Sequence, residues 1–176
     1  KVTVVDKIFH RKISNVRYLR GSIKNKKFII NAFKNIEYVY HYASLAGIAD
    51  CNQNPSMAVD TNIIGTLNVL EASRINRIKK IIFASTIYSL SEQGGIYKST
   101  KQFGEMLIEN YKKLYNIDYV ILRFGSLYGP DSNDFNFINS AIDQAISKKK
   151  ITRNGNGSEI RKYIYIDDAA NASIKV

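Results

Sequence analysis

Residues 81–101 read IIFASTIYSLSEQGGIYKSTK. The stretch opens on a short apolar run, Ile81 to Ala84, with the length of a buried strand. Ser85-Thr86 follows it, and Gly94-Gly95 leads into residues 97–115, which are periodic at helical spacing. The same alternation extends in both directions. Residues 2–5 form a β-branched run ending at Asp6, residues 16–19 form a second run, and residues 38–42 (YVYHY) a third. Further on, residues 119–124 (YVILRF) and 163–166 (YIYI) are strand-like. Between these runs lie Phe28, Ile29, Ala32 and Phe33 at helical spacing, a strongly periodic helix over 59–72, and another over 135–146. Asn54-Pro55 reads as an N-cap followed by proline at the first helical position, and Asp167 as the cap of a last helix. Strands alternating with helices predict an α/β fold, a doubly wound parallel sheet covered on both faces. With no repeat or low-complexity linker, residues 1–176 are expected to form a single domain.

Composition narrows the function classes. The 176 residues are 45% hydrophobic and 23% charged, enough for one core, and no apolar run approaches the ~18 residues of a membrane span. The first residues alternate like a strand rather than forming the apolar plug of a signal peptide. Cys51 stands alone and the two histidines form no His-x-x-x-His pair, so no metal site is expected. These features are read as those of a cytoplasmic protein. Lys and Arg number 26 against 15 Asp and Glu, a net charge of +11. Such a balance favours anionic partners such as nucleic acids or dinucleotides, or simply decorates the surface with lysine. The basic residues do not concentrate on one segment. The tyrosines alternate within strands read as buried, which argues against nucleic-acid binding.

Ligands of open α/β sheets sit beyond the carboxyl ends of the strands. The residues there are Asp6, Gly21-Ser22-Ile23, Ala43-Ser44-Leu45, Ser85-Thr86 and Gly125-Ser126, mostly small and polar. Tyr97 and Lys101 lie four apart near a helix start and share a face. A free phenol has a pKa of about 10, and an ammonium beside it is expected to lower that value, making a base for an alcohol proton. Thr86, just past its strand, is suited to hold the same oxygen. About one Tyr-x-x-x-Lys pair is expected by chance in such a composition, so the weight rests on its position beside the crevice.

With these residues in order, the sequence resembles an extended short-chain dehydrogenase/reductase of the NAD-dependent epimerase/dehydratase family, which acts on nucleotide sugars. The resemblance runs through VTVVD, HYASLAG, NPSMAVDTNIIGTLNVLEAS, FAST with YKSTK, LRFGSLYGP and GNGSEIRKYIYIDDAA. It implies a Rossmann-like fold and NAD as cofactor. Asp6 would bind the adenosine ribose, and Ser22, Ile23, Tyr42, Ala43, Ser44, Leu45 and Thr61 would line the cofactor, with Asn62 a structural partner. Thr86, Tyr97 and Lys101 would be catalytic, the last two also touching NAD. Thr86, Ser126 and Arg161 would meet the substrate, Arg161 at its diphosphate. A homodimer is implied through the helices around residues 62–74 and 97–115, with Ile64, Leu67, Leu70, Met106 and Ile108 as interface or core.

The sequence departs from the family in several places. The glycine-rich loop belongs on a first strand about 20 residues before the ribose-binding acid. Asp6 is almost at the start here, so that strand and loop are absent, as is most of the C-terminal substrate lobe, and the chain reads as a piece of a longer protein. Gly21-Ser22-Ile23 lacks the acid the family places near the adenine. Ser126 stands where the family has asparagine, and the link from Thr86 to Tyr97 is short. Ile87, Tyr88 and Ser89 offer neither the carboxylates of a dehydratase nor a thiol. That leaves oxidation of a sugar carbinol and return of hydride, the reaction of a nucleotide-sugar 4-epimerase, with C4 of a UDP-sugar as the expected centre. The alternatives are another nucleotide-sugar dehydrogenase, reductase or dehydratase, or a non-catalytic dinucleotide-binding relative. Asp6 favours NAD over NADP, because a carboxylate accepts from a ribose hydroxyl but repels a 2′-phosphate.

Overall fold

The computed structural model describes residues 1–9, 11–132, 136–153, 155–158 and 160–176. Its contacts divide the chain into two compact units, Lys1–Arg123 and Phe124–Val176. In the first unit, β1 (Val2–Asp6) pairs in parallel with β2 (Val16–Arg20), placing Asp6 opposite Arg20 at their carboxyl ends. A second sheet runs β3 (Tyr38–His41), β4 (Lys80–Thr86) and β5 (Asp118–Phe124), with β4 central and parallel to β3. Among the described residues no ladder joins the two sheets. The doubly wound α/β reading therefore holds, with the sheet in two pieces.

Helices tie the pieces together. α1 (Lys26–Ala32) is capped by Asn25, whose side chain accepts from the Phe28 N–H. α2 (Ile48–Gln53) and α3 (Pro55–Ala58) lead through a wide π turn, Val59–Ile64, into α4 (Gly65–Ile75). Pro55 takes the first helical position as expected, although the Asn54 side chain makes no cap bond. On α4, Asn68 Nδ2 donates to the carbonyls of Ile23 and Lys24, and Asn76 Nδ2 to that of Ile30. Gly65 meets Ile23 so closely that a Cβ would lie 2.5 Å from its side chain. Ile23, Ile29, Val39, Val69, Leu70, Ile81, Phe83 and Ile108 share one core, with Val5 and Leu19 packed against it. At ~25 cal/mol per Å², this apolar burial is the main force holding the two sheets to one body.

α5 (Gly95–Tyr115) crosses β4 where Gly104 faces Phe83, and a Cβ there would fall 2.7 Å from the ring. Its start needs glycine. Gly94 and Gly95 have φ of 106° and 51°, the left-handed region that L side chains avoid. Gly94 has no side chain to cap the helix, and Asn52 of α2 accepts the Ile96 N–H instead, at 3.0 Å. Between β4 and α5 a single 3₁₀ turn, Ile87–Leu90, completes the link.

The second unit pairs β6 (Ser126–Tyr128) in parallel with β7 (Tyr163–Tyr165) and carries α6 (Phe137–Lys148) and α7 (Ile166–Ile174). Asn136 caps α6 by accepting from the Ile138 and Asn139 N–H groups. Phe135, where that helix was expected to begin, lies outside the described residues. Asp167 sits in the first turn of α7 rather than at its cap, beside Asp168, where both carboxylates face a favourable dipole. Among the described residues, no helix is long and apolar enough to cross a membrane.

The tyrosines of β3 overturn one expectation. Tyr38 and Tyr40 are 51% and 46% exposed, and the inward side chains are Val39 and His41. The inward His41 is fully enclosed, bonded to Thr66 at 2.9 Å, and burial pulls its pKa from 6.5 down to about 3, assisted by the Lys101 charge. The folded value is depressed, so this contribution to stability is present above pH 6.5 and is lost as pH falls toward 3. Between pH 7 and 4.5 that amounts to roughly 2–3 kcal/mol. Urea unfolding at the two pH values should show this loss, and His41→Gln should flatten it; an unchanged slope would refute the account.

Candidate active site

The carboxyl end of β4 and the first turns of α5 meet through one buried cation. Lys101 is 3% exposed, and its Nζ donates to the Ala84 carbonyl at 2.8 Å. The same ammonium stands over the Tyr97 ring at 5.7 Å and the Phe83 ring at 5.0 Å. Thr86, two residues beyond Ala84, is buried, and its Oγ1 accepts from the Tyr88 N–H at 3.3 Å. Its carbonyl takes the Ser89 hydroxyl. The expected pair thus shares a helix face as the spacing implied, and Lys101 ties that face to the strand that ends in Thr86.

The electrostatics differ from expectation. Burial pushes the Tyr97 phenol up to about 12, with Cys51 and Tyr88 adding to the rise. The ammonium of Lys101, over the ring at 5.7 Å, does not offset this burial. Burial likewise lowers Lys101 to about 8, partly opposed by Cys51. Desolvation outweighs the neighbouring cation, and in the chain by itself Tyr97 is a neutral phenol at pH 7.

A second network holds the loop after β3. Asn62, in the π turn, accepts from the Leu45 N–H at 2.7 Å and donates to its carbonyl at 3.0 Å. It also donates to Thr100 Oγ1 at 3.0 Å, and that hydroxyl donates to the Tyr97 carbonyl at 2.8 Å. Cys51, wholly buried, directs its thiol at the Leu45 carbonyl, 3.4 Å away. One asparagine therefore joins Leu45 to the turn carrying Tyr97 and Lys101. π turns concentrate at functional sites. Thr61 is buried beside Asn62, whereas Tyr42 and Ala43 are exposed and Ser44 is half-buried.

Asp6 lies exposed at the end of β1, where its Oδ1 accepts from the Lys7 and Ile8 N–H groups at 2.6 and 3.3 Å. This caps the following loop. Arg20 Nε donates to the Lys7 carbonyl, and Gly21 N–H to the Asp6 carbonyl. Ser22 Oγ accepts from the Lys24 N–H, and Ile23 is a core side chain. Ser126 and Arg161 belong to the second unit. Ser126 is the register partner of Tyr163 and donates its N–H to the Lys162 carbonyl, and Arg161 is exposed. Sequence reasoning placed Ser85 at the strand end without a role and missed Thr100, Gln102 and Glu105. Apart from the local bond of Thr100 to Tyr97, the partners of these residues lie 13 to 38 positions away.

The donors present suit a nicotinamide dinucleotide at its two ends. An exposed strand-end carboxylate fits a ribose diol. Of the three N–H groups of Lys101, one is taken by Ala84 among the described residues, leaving two for a second diol. The glycine-rich turn for the pyrophosphate is not within the chain.

The model of the NAD dependent epimerase/dehydratase family matches residues 2–176. The chain belongs to this family. Among curated relatives of the family, it is 31% identical to a UDP-glucuronate 4-epimerase of Thermodesulfobacterium geofontis, covering 93% of the chain and 55% of that protein. It is 31% identical to a putative UDP-glucose 4-epimerase of Methanocaldococcus jannaschii, covering 81% and 52%. Among solved structures, the UDP-glucose 4-epimerase of Thermotoga maritima, with UDP-glucose, superposes with a TM-score of 0.89 at 27% identity, covering 98% of the chain and 64% of that one. The chain thus spans about half the length of the curated relatives it matches. Membership brings a Rossmann-like fold, the epimerase/dehydratase enzyme class and NAD as the family's cofactor.

The high Tyr97 value is open to direct measurement. An alkaline difference spectrum between the chain and its Tyr97→Phe variant should show one phenol ionising near pH 12, well above the ordinary pH of about 10. A midpoint at or below 10 would restore the acidified phenol.

Proposed function

We propose that the protein containing this chain is a nucleotide-sugar 4-epimerase that uses NAD to oxidise and re-reduce C4 of a UDP-sugar. The Tyr97–Lys101 pair, anchored to the end of β4 beside Thr86, is the observation that carries this reading. The names of the relatives, UDP-glucuronate and UDP-glucose 4-epimerases, support the sugar class. Ile87, Tyr88 and Ser89 bring no carboxylate beside Thr86, which argues against elimination of water.

In this reading, Asp6 holds the adenosine ribose, with Ser22, Ile23 and Tyr42 to Leu45 along the cofactor and Thr61 toward its nicotinamide end. Bound NAD supplies the acceptor and later the donor of hydride. Tyr97 Oη takes the proton of the sugar 4-hydroxyl, and Thr86 Oγ1 hydrogen-bonds the same oxygen. Lys101 turns its remaining N–H groups to the nicotinamide ribose and keeps a positive charge beside the phenol. A phenol at about 12 is a reluctant base, so oxidation needs the positive charge of the loaded site to bring it down. It is ready as an acid for the return step, when it gives the proton back to the 4-keto oxygen. Ser126 and Arg161 meet the substrate, Arg161 at the diphosphate. We read residues 1–176, with their two compact units, as one domain, and the chain spans about half the length of these relatives. The free, buried thiol of Cys51 fits the reducing cytoplasm we propose for it.

A homodimer completes the proposal. Leu70 and Ile108 are core, but Ile64 and Met106 are 45% and 60% exposed, and Phe103 is exposed beside Met106. Ile64 gives the π turn, and Phe103 and Met106 give α5, apolar surface for a second copy.

Two experiments follow. In the full-length protein, Tyr97→Phe should lower the interconversion of UDP-sugar epimers by about 10²–10⁴-fold while binding of the sugar nucleotide persists. Retained turnover would remove Tyr97 from the chemistry. Met106→Lys should shift the sedimentation of the full-length protein from dimer to monomer; an unchanged dimer would locate the interface elsewhere.

A further inference from the structure

Glu105 lies one turn beyond Lys101 on α5 and is buried. Its carboxylate accepts from three donors on two strands. Ser85 Oγ on β4 donates to Oε1. Arg123 on β5 closes a fork, with Nε to Oε1 at 3.1 Å and Nη2 to Oε2 at 2.6 Å. Ser85 stands between Ala84, whose carbonyl takes Lys101, and Thr86. The carbonyl of Ser89, in the turn that follows, takes Gln102 Nε2 at 2.8 Å. Residues 101, 102 and 105 of one helix thus fasten residues 84, 85 and 89 of the segment that carries Thr86.

These contacts differ in what they fix. Gly104 against Phe83 sets how near the helix comes to the strand, but an apolar contact tolerates sliding. A carboxylate held by a fork and a hydroxyl does not, since its acceptor directions are few. Arg123 is exposed while Glu105 is buried, and an ion pair open to solvent on one side adds little net stability, so its use lies in fixing register.

We propose that Glu105 is a positioning residue: through Ser85 it sets the height of the β4 end along α5, and so the approach of the Thr86 hydroxyl to the Tyr97 phenol. It touches neither substrate nor cofactor. The inference rests on the reading of Thr86 and Tyr97 as the pair that holds the reacting oxygen. Moving that pair by less than 1 Å leaves binding intact and slows the proton step, because catalysis depends on near-attack geometry far more steeply than binding does.

The test uses Glu105→Gln, Ser85→Ala and Ser85→Thr in the full-length protein, with Tyr97→Phe as reference. Glu105→Gln and Ser85→Ala should each lower kcat about ten- to a hundredfold. The KM for the sugar nucleotide, the Kd for NAD by fluorescence and the Tm should remain near those of the parent. Ser85→Thr, which keeps the hydroxyl, should restore most of the kcat. Parental kcat in Ser85→Ala, or a loss that tracks a fall in Tm and a rise in KM, overturns the proposal. If Glu105→Gln does not fold, Ser85→Ala alone decides by the same criteria. Should Tyr97→Phe prove active, the underlying reading falls. A dead Tyr97→Phe beside a fully active Ser85→Ala defeats only the role of Glu105.

Discussion

One buried ammonium organises the candidate site. Lys101 reaches out of α5 to the Ala84 carbonyl, and the lysine side chain itself is buried. Losing that bond would leave a desolvated charge without its partner, at a cost of about 1.5–3 kcal/mol for a hydrogen bond to a charged group. The helix and the strand end are therefore obliged to stay together. Phe83 and Gly104 make the approach close enough for the bond to form, and everything said of Thr86 and Tyr97 follows from it.

The same burial that fixes Lys101 works against Tyr97 as a base. A lysine one turn along was expected to make the phenol acidic, and charge proximity alone would do so. The structure gives both groups the same dry environment, which favours the neutral form of each and drives their pKa values apart, to about 12 and about 8. The phenol is thus a proton donor at rest. In the reaction proposed above, its use as a base is conditional on further positive charge, which would confine proton abstraction to the loaded site.

Much of this was legible in the sequence, for identifiable reasons. β1, β4 and the middle of β5 announce themselves as short apolar runs, as a strand within a parallel sheet tends to be, and β2 and β3 by short runs of β-branched, aliphatic and aromatic residues. α5 announces itself by period, with Ile108 and Tyr111 on the buried face that also holds Lys101. β3 misled, since its alternation of aromatic and apolar residues reads as wholly buried when only Val39 and His41 turn inward. α2 and the π turn were not foreseen. α2 is a short helix without an apolar stripe, and the π turn keeps helical spacing in sequence while widening the backbone. In the site, Tyr97 and Lys101 were readable because their relation is local. The partners that hold them, Asn62 with Thr100 and Glu105 with Ser85, are brought together by tertiary packing and leave no trace in spacing.

The division of the sheet explains the weight carried by α4. Parallel strands ordinarily gain cohesion from ladders, and among the described residues none joins β1–β2 to β3–β4–β5. What holds Asp6 and residues 21–23 to the unit that bears Tyr97 is a helix. Val69 and Leu70 of α4 sit in the common core, and Asn68 and Asn76 bind carbonyls at residues 23, 24 and 30. Side-chain amides bonding to backbone carbonyls specify position in a way apolar contact does not, because each amide has two donors with fixed directions. The ends of β1 and β2 are thereby held to the body that bears Tyr97 through side chains. That arrangement makes Asn68 a structural counterpart to Asn62. The first fixes where β2 delivers its loop, the second where β3 delivers Leu45, and between them they define the rim from which a dinucleotide would be held.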